Sequence, residues 1–281
     1  MRKIFIFILV VLAAAVSCGR KGAHHLVIIH TNDTHSHFEP VRSGAEAGLG
    51  GVIERAAYID SVMAAEGKGN VLLLHAGDFS QGTSYFTVLD GNLEIETLNA
   101  LGYDAACLGN HEFDNGLEDL GRRLENVKCP IVCANYDFTP FKAGEFIKPY
   151  TIVEKAGLRI GIFGILTNLE SVVDKSNPNA PALLKLDDFQ TANYWASLLK
   201  EQEGCDLVIA LTHIGLSVEK QNITDSVLVQ NCRNIDLVVG GHSHTFLDNI
   251  KYVADLDGKE IPIVQDGCWG LNMGEITLDL D

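Results

Sequence analysis

The chain has 281 residues, with 37 Asp+Glu against 21 Lys+Arg and a formal net charge of −16. That balance argues against a duplex nucleic-acid binder, which needs a basic face to displace counterions. A hydrophobic fraction of 47% excludes a disordered chain, and the length suits one large α/β domain or two small ones.

Arg2 and Lys3 precede an uninterrupted apolar run of 13 residues, Ile4 to Val16. A bilayer span needs about 20 such residues, so the run reads as a secretory signal. Small residues stand directly before a cysteine in Ala15-Val16-Ser17-Cys18, which resembles a bacterial lipoprotein signal. The expectation is a signal peptide over residues 1–17, lipid on Cys18, a tether over 18–25 and a catalytic domain over 26–281. The implied location is the bacterial cell envelope, lipid-anchored to the outer membrane and facing the periplasm. A plain cleaved signal with an incidental cysteine is the alternative. Losing residues 1–17 removes Arg2 and Lys3 and no acid, so −16 becomes −18. Cys107, Cys129, Cys133, Cys205, Cys232 and Cys268 remain. Their pairing cannot be read from sequence, and buried free thiols are the default expectation. Cys129 and Cys133 form a C-x3-C pair, which is neither a zinc nor a thioredoxin spacing.

The predicted elements alternate. Leu26 to His30 is a strand, and Gly50 to Ala65 has helical spacing of its apolar residues,. Val71 to Leu74 is a strand, Leu93 to Leu101 a helix stopped by Gly102, and Ala105 to Leu108 a strand,. Leu117 to Leu124 is helical and Ile131 to Ala134 a strand. Tyr150–Val153 and Leu158–Phe163 flank Lys155-Ala156-Gly157 as a hairpin,. Ser171 to Pro181 is loop. Asp187 to Lys200 is a helix, Leu207 to Leu211 a strand and Ser217 to Asn231 a helix. Ile235–Val239, Ile261–Val264 and Glu275–Leu280 are strands. Such alternation implies a layered α/β domain with buried sheets, and α/β proteins place their sites beyond the carboxyl ends of strands.

Five predicted strands are followed by metal-type side chains. They are Asp33-Thr34-His35, Gly77-Asp78, Asn110-His111-Glu112, Thr212-His213 and Gly241-His242-Ser243-His244. Carboxylates, imidazoles and one amide oxygen make a mixed O/N set suited to zinc, manganese, iron or cobalt. The set is too rich in histidine for calcium or magnesium. Seven ligands around two ions leave positions open for water and substrate, as two-metal hydrolysis requires. Each block alone is weak; their joint occurrence is the signal. Of the other histidines, His37 is equally a site or a surface residue, His30 and His75 read as core imidazoles, and His24 and His25 fall in the tether.

These blocks resemble the calcineurin-like metallophosphoesterase superfamily. More narrowly, Thr31-Asn32-Asp33, Gln81-Gly82, Gly109 to Asp114, Gly240 to His244 and Val264-Gln265 resemble the catalytic domain of the 5'-nucleotidase family. The resemblance covers residues 26–281 and implies a single domain with a four-layered αββα sandwich fold. It implies one divalent ion on Asp33, His35, Asp78 and His244, and a second on Asp78, Asn110, His213 and His242. It gives His111 a catalytic role at the phosphoryl group, with Asp114 orienting it. Asp114 could also cap a helix from Gly116. Asn135, at a strand end, is a candidate substrate contact.

The implied function is hydrolysis of phosphate monoesters, with nucleoside 5'-monophosphates as substrates. A 2',3'-cyclic phosphodiesterase, a nucleotide-sugar pyrophosphatase, a sulfur-ester hydrolase or a non-catalytic lipid-anchored binding module stay open as alternatives. Full-length 5'-nucleotidases carry a second, C-terminal domain that holds the nucleobase, whereas this sequence stops at Asp281. The expectations are a second domain supplied in trans by a separate protein, or a more permissive phosphatase.

Overall fold

The computed structural model describes residues 24–172, 183–216 and 223–280. The expected signal, Cys18, most of the 171–181 loop and the start of the 217–231 helix lie outside them.

In chain order the strands begin with β1 (His24–Thr31), β2 (Val71–His75), β3 (Ala105–Cys107), β4 (Ile131–Val132) and β5 (Tyr136–Asp137). Next come β6 (Ile147–Lys148), β7 (Tyr150–Lys155), β8 (Leu158–Leu166), β9 (Leu184–Lys185) and β10 (Leu207–His213). The last four are β11 (Leu237–Val239), β12 (Lys251–Ala254), β13 (Glu260–Val264) and β14 (Gly274–Leu280). Helices are α1 (Val52–Glu66), α2 (Ser84–Leu89), α3 (Asn92–Leu101), α4 (Gly116–Leu124), α5 (Leu169–Val172), α6 (Asp188–Ser197) and α7 (Asp225–Gln230).

Two six-stranded sheets form, ordered β14-β1-β2-β3-β4-β6 and β12-β13-β11-β10-β8-β7. Parallel pairing runs through β1, β2, β3, β4 and β6 in the first and through β13, β11, β10 and β8 in the second. Antiparallel strands complete them: β14 on the first, β12 and β7 on the second. The hairpin β7–β8 turns through Ala156 and Gly157, both at positive φ, the geometry that matches strand twist,.

Side chains alternate across each strand, and this builds the layers. Leu26 and Ile28 of β1, Leu72 and Leu74 of β2, and Leu207, Ile209 and Leu211 of β10 meet between the sheets. Their neighbours Val27, Ile29 and Leu73 face outward onto Ile59 of α1, Ile95 and Leu98 of α3, and Leu120 of α4. Val208 and Ala210 face outward on the other side, onto Ala192 and Ala196 of α6 and Leu228 of α7. Three apolar interfaces therefore separate four layers, and the expected αββα sandwich is the observed fold. Burying a Leu or Ile side chain contributes about 1.5–3 kcal/mol, so the inter-sheet layer is a major source of stability.

Several boundaries differ from expectation. β1 begins at His24, so His24 and His25 belong to a strand and not to a tether. His25 bonds Asp279 of β14 and Glu66 of α1. The 217–231 helix is described only as α7, entered at Thr224, whose hydroxyl accepts from Val227 N–H. α6 ends at Ser197 and passes into a single π-type turn, Leu198–Gln202. The six cysteines among the described residues are free and buried; burial pushes the thiols of Cys129, Cys133 and Cys232 up to about 12.

Candidate metal centre

Five parallel strands end on one rim of the sandwich, and their following loops converge there. Asp33 and His35 follow β1, Asp78 follows β2, and Asn110 and His111 follow β3. His213 ends β10, while His242 and His244 follow β11. The first sheet thus supplies the carboxylates and the amide, and the second supplies three imidazoles.

The side chains fall into two groups, Asp33–His35–His244 and Asp78–His213–His242. In each, the ligand atoms lie within 4.8 Å of one another. Asp78 Oδ2 stands 3.0 Å from His213 Nε2 and 3.7 Å from His35 Nε2, so it reaches both groups. Asp33 Oδ1 is 3.3 Å from His244 Nε2 and 3.8 Å from His213 Nε2. All the ligands that the sequence resemblance implies are brought together, apart from Asn110, which joins them through its backbone neighbour. His111 N–H donates to Asp78 Oδ1 at 2.9 Å.

The donor set fits divalent cations on three observations. His35 Nδ1 donates to the Gln81 carbonyl and His213 Nδ1 to the Ala76 carbonyl, since a carbonyl can only accept. Each neutral ring therefore presents a lone pair at Nε2, as metal-binding histidines do. His35 Nε2 lies 3.0 Å from His244 Nε2, where two lone pairs repel unless a cation or proton intervenes. Finally, Asn110 Oδ1 is buried without a hydrogen-bond partner, an acceptor that a positive group would satisfy,.

Electrostatics point the same way. Burial would raise the Asp78 carboxyl, yet the His213, His35 and His111 imidazoles hold it well below the usual carboxylate range. Burial opposes charge on His213, but Asp78 and Asp33 raise it to about 10. Hydrogen bonds to Asp33 and Cys268 raise His244 to about 10. Burial and the His213 charge lower His242 to about 4. The two buried carboxylates require positive charge nearby, and protons and metal ions compete to supply it.

The backbone is strained to bring these groups together. Asp33 (φ 49°), His35 (46°), Asp78 (51°), His242 (77°) and His244 (51°) all occupy the left-handed region. Each such residue costs about 1–3 kcal/mol, and such strain clusters at functional sites. Gly77 lies so close to Gly109 N and His213 Nδ1 that a Cβ would come within 2.7 Å of both.

A set of buried polar groups braces the ligand loops. Glu112 is fully buried and accepts from Asp78 N, Ser80 N and Gly109 N, tying the loops after β2 and β3 together. Burial and the Asp78 charge raise Glu112 to about 7 against those three bonds. Asn32 Nδ2 donates to Asp33 Oδ2 and to the Gly267 carbonyl. Gln265 accepts from Thr245 N–H and Ser243 Oγ–H and donates to the Gly241 carbonyl, fixing the loop that carries His242 and His244. Sequence reasoning gave Glu112, Asn32 and Gln265 no role of their own; their only signal is membership of the recurring blocks.

His111 Nδ1 lies 2.8 Å from Asp114 Oδ2. Burial opposes charge on this imidazole, but Asp114 and Asp78 raise it to about 9. Asp114 does not cap α4; the cap position is Asn115, with no side-chain bond. Asn135 is fully buried. Its Nδ2 donates to the Leu166 carbonyl and to Asp188, and its Oδ1 accepts from Leu166 N–H. Its amide braces the end of β8, and no face of it is left for a substrate. His30 pairs with Asp266 at 2.6 Å inside the core, and burial drives His75 down to about 3, a neutral imidazole. A cavity of about 730 Å³ opens beside β14 and α1 and is lined by none of the candidate ligands.

A layered sandwich with two adjoining O/N ligand groups on its rim is the architecture of a metallophosphoesterase. Residues 26–246 match the family model described as calcineurin-like phosphoesterase, and the chain belongs to that family. It is similar to a 5'-nucleotidase of Diplobatis ommata, 34% identical over 292 aligned positions that cover 96% of this chain and 48% of the relative. Among solved structures it is similar to the 5'-nucleotidase precursor of Thermus thermophilus, with TM-score 0.77 and 31% identity. That match covers 91% of this chain and 54% of the other. The NAD nucleotidase of Haemophilus influenzae gives TM-score 0.78 at 28% identity, covering 92% and 47%. The chain thus spans about half the length of these relatives.

Proposed function

We propose that this chain hydrolyses phosphate monoesters and that its substrates are nucleoside 5'-monophosphates. The carrying observation is the pair of adjoining ligand groups, with Asp78 Oδ2 within 3.7 Å of a histidine in each and the Asp114-held His111 one residue beyond Asn110. The similarity to proteins named 5'-nucleotidase supports the substrate class. Asp33, His35, Asp78 and His244 would hold one divalent ion, and Asp78, Asn110, His213 and His242 the other. When bound, such ions neutralise phosphoryl oxygens and bring the pKa of a water toward neutrality. His111, with Nδ1 engaged by Asp114, holds a proton at Nε2 for a phosphoryl oxygen or for the departing alkoxide. Asp114 keeps that ring oriented and supports its charge.

The test is a panel of nucleoside monophosphates, a 2',3'-cyclic nucleotide, a nucleotide-sugar and a simple sugar phosphate. Mn, Zn, Co and Mg are each added back after chelation. Preferred turnover of 5'-monophosphates is the expected result; preferred turnover of the cyclic diester or the pyrophosphate overturns it. We propose further that Cys18 carries lipid and holds the domain in the envelope. Radiolabelled palmitate incorporated by wild type and not by Cys18→Ser is the expected result, and equal labelling of both refutes it.

A further inference from the structure

Trp269 is an exposed bulky residue in a strained conformation. Its side chain is 39% accessible and its φ is 61°, a region that a large side chain disfavours,. Its N–H donates to the Asp33 carbonyl at 2.6 Å, which fixes it beside the metal centre. The indole lies nearly parallel to the His37 ring, with centroids 5.1 Å apart and planes at 19°. His37 is held in turn, for its Nδ1 donates to the His35 carbonyl at 2.7 Å. The Trp269 main chain and the His37 ring are therefore each tied to the backbone of a candidate ligand. Phe38 and Tyr85 meet edge to face at 5.3 Å. These four aromatic residues line one open cavity of about 520 Å³, within the size range of small-ligand sites.

The rim of this cavity settles the chemistry of its occupant. Glu39 and Arg42 pair with each other there, so the cavity offers no unpaired cation for a second phosphate. What it offers is π surface, which takes flat, uncharged rings. We infer that this shelf receives the planar heterocyclic base of the substrate's leaving group, while the phosphoryl group sits at the adjoining metal centre. The choice of substrate rests on the nucleotide-monoester reading above. The shelf itself rests on the ring geometry and its backbone links to Asp33 and His35. It would let this domain select its leaving group with its own residues.

Two measurements test it separately from the reading on which it rests. The first compares two esters that share ribose 5-phosphate, adenosine 5'-monophosphate and ribose 5-phosphate itself, on the Mn-loaded protein. Trp269→Leu should lower the ratio of their kcat/KM values by about tenfold or more, the scale of one base–aromatic stack. Trp269→Phe should keep most of that ratio. Equal losses on both esters would make Trp269 a structural residue and overturn the shelf. The second uses adenosine alone, which carries no phosphate. The chain has two tryptophans, Trp195 and Trp269. Adenosine should quench wild-type fluorescence saturably and leave Trp269→Phe, with only Trp195, unquenched. Absence of quenching to the solubility limit overturns the shelf even in an active enzyme. Quenching without turnover of either ester keeps the shelf and sinks the phosphatase reading instead.

Discussion

His111 and Asp114 show how one hydrogen bond assigns a role. An imidazole one position past a ligand shares its backbone placement, and its 2.8 Å contact to Asp114 sets which nitrogen is engaged. General acid catalysis contributes about 10²–10⁴-fold. His111→Ala should therefore lower kcat by that range while the metal content, measured by elemental analysis, stays near two ions per chain. Normal turnover in this variant would remove His111 from the mechanism. Asp114 raises the His111 pKa, so Asp114→Asn should lower it. The protonated ring is then lost at lower pH, and the basic limb of the kcat profile should move toward acid. An unmoved limb would show that Asp114 does not act through His111. At this scale the recurring blocks made readable in the sequence the six side chains that the structure gathers into two groups, and His111 beside Asp114. Asn135 misled because a strand-end amide gives no sign of what lies across from it; here it is the end of β8.

Among the elements, the central strands were legible as continuous apolar runs buried on both faces,, and the long helices by apolar residues at a spacing of about 3.6. β1, β2, β8, β10 and β14 needed only small changes of boundary. β5, β6 and β9 have two residues each, too few to show any period, and they exist through their partners. α2 has six residues and relies on the Thr83 cap, whose hydroxyl accepts from Tyr85 N–H. The role of Asp225 was also invisible, since a buried acid at a helix start looks like any other N-terminal acid. It is fully buried and accepts from Thr212 Oγ1 at 2.6 Å, joining α7 to β10. Burial raises its carboxyl from 3.8 to about 7, outweighing the Thr212 bond. Between these values the folded state holds a proton that the unfolded chain has released. Stability is therefore lost as pH rises through that window, by an amount on the order of 4 kcal/mol. Asp225→Asn removes the titration but leaves an amide N–H2 where Oδ2 already lacks a partner, at a cost of about 1–3 kcal/mol. The stability of the variant relative to wild type, from denaturant unfolding at pH 4 and pH 8, should rise by a few kcal/mol across the interval. A difference that does not change with pH would show that Asp225 is ionised throughout.

For the whole molecule, the centre joins the two sheets at their shared rim. Asp33, His35, Asp78 and Asn110 extend from the first sheet, and His213, His242 and His244 from the second. Bound ions would clamp one sheet to the other and offset the left-handed strain in five of the seven candidate ligands. They would also answer the question set by the chain's acidity. A net charge of −16 repels a phosphate ester at long range, but two divalent ions place four positive charges at one point, and at contact the local charge decides. A ligand that binds the folded state alone stabilises it by about 2.7 kcal/mol at a hundred times its Kd. Chelation should therefore lower the unfolding temperature by several degrees, and Mn or Zn should restore it. The effect should depend on pH with a defined sign. Without metal, Asp78 and Asp33 hold protons on His213 and His244, each raised to about 10, and those protons must leave when an ion enters. Metal affinity should rise with pH from 6 to 8, with protons released in isothermal titration. Asp78→Asn should weaken both ions together because its Oδ2 stands 3.0 Å from His213 and 3.7 Å from His35. If Asp78→Asn loses a single ion and keeps the other at wild-type affinity, Asp78 is not shared, and the two groups are separate sites.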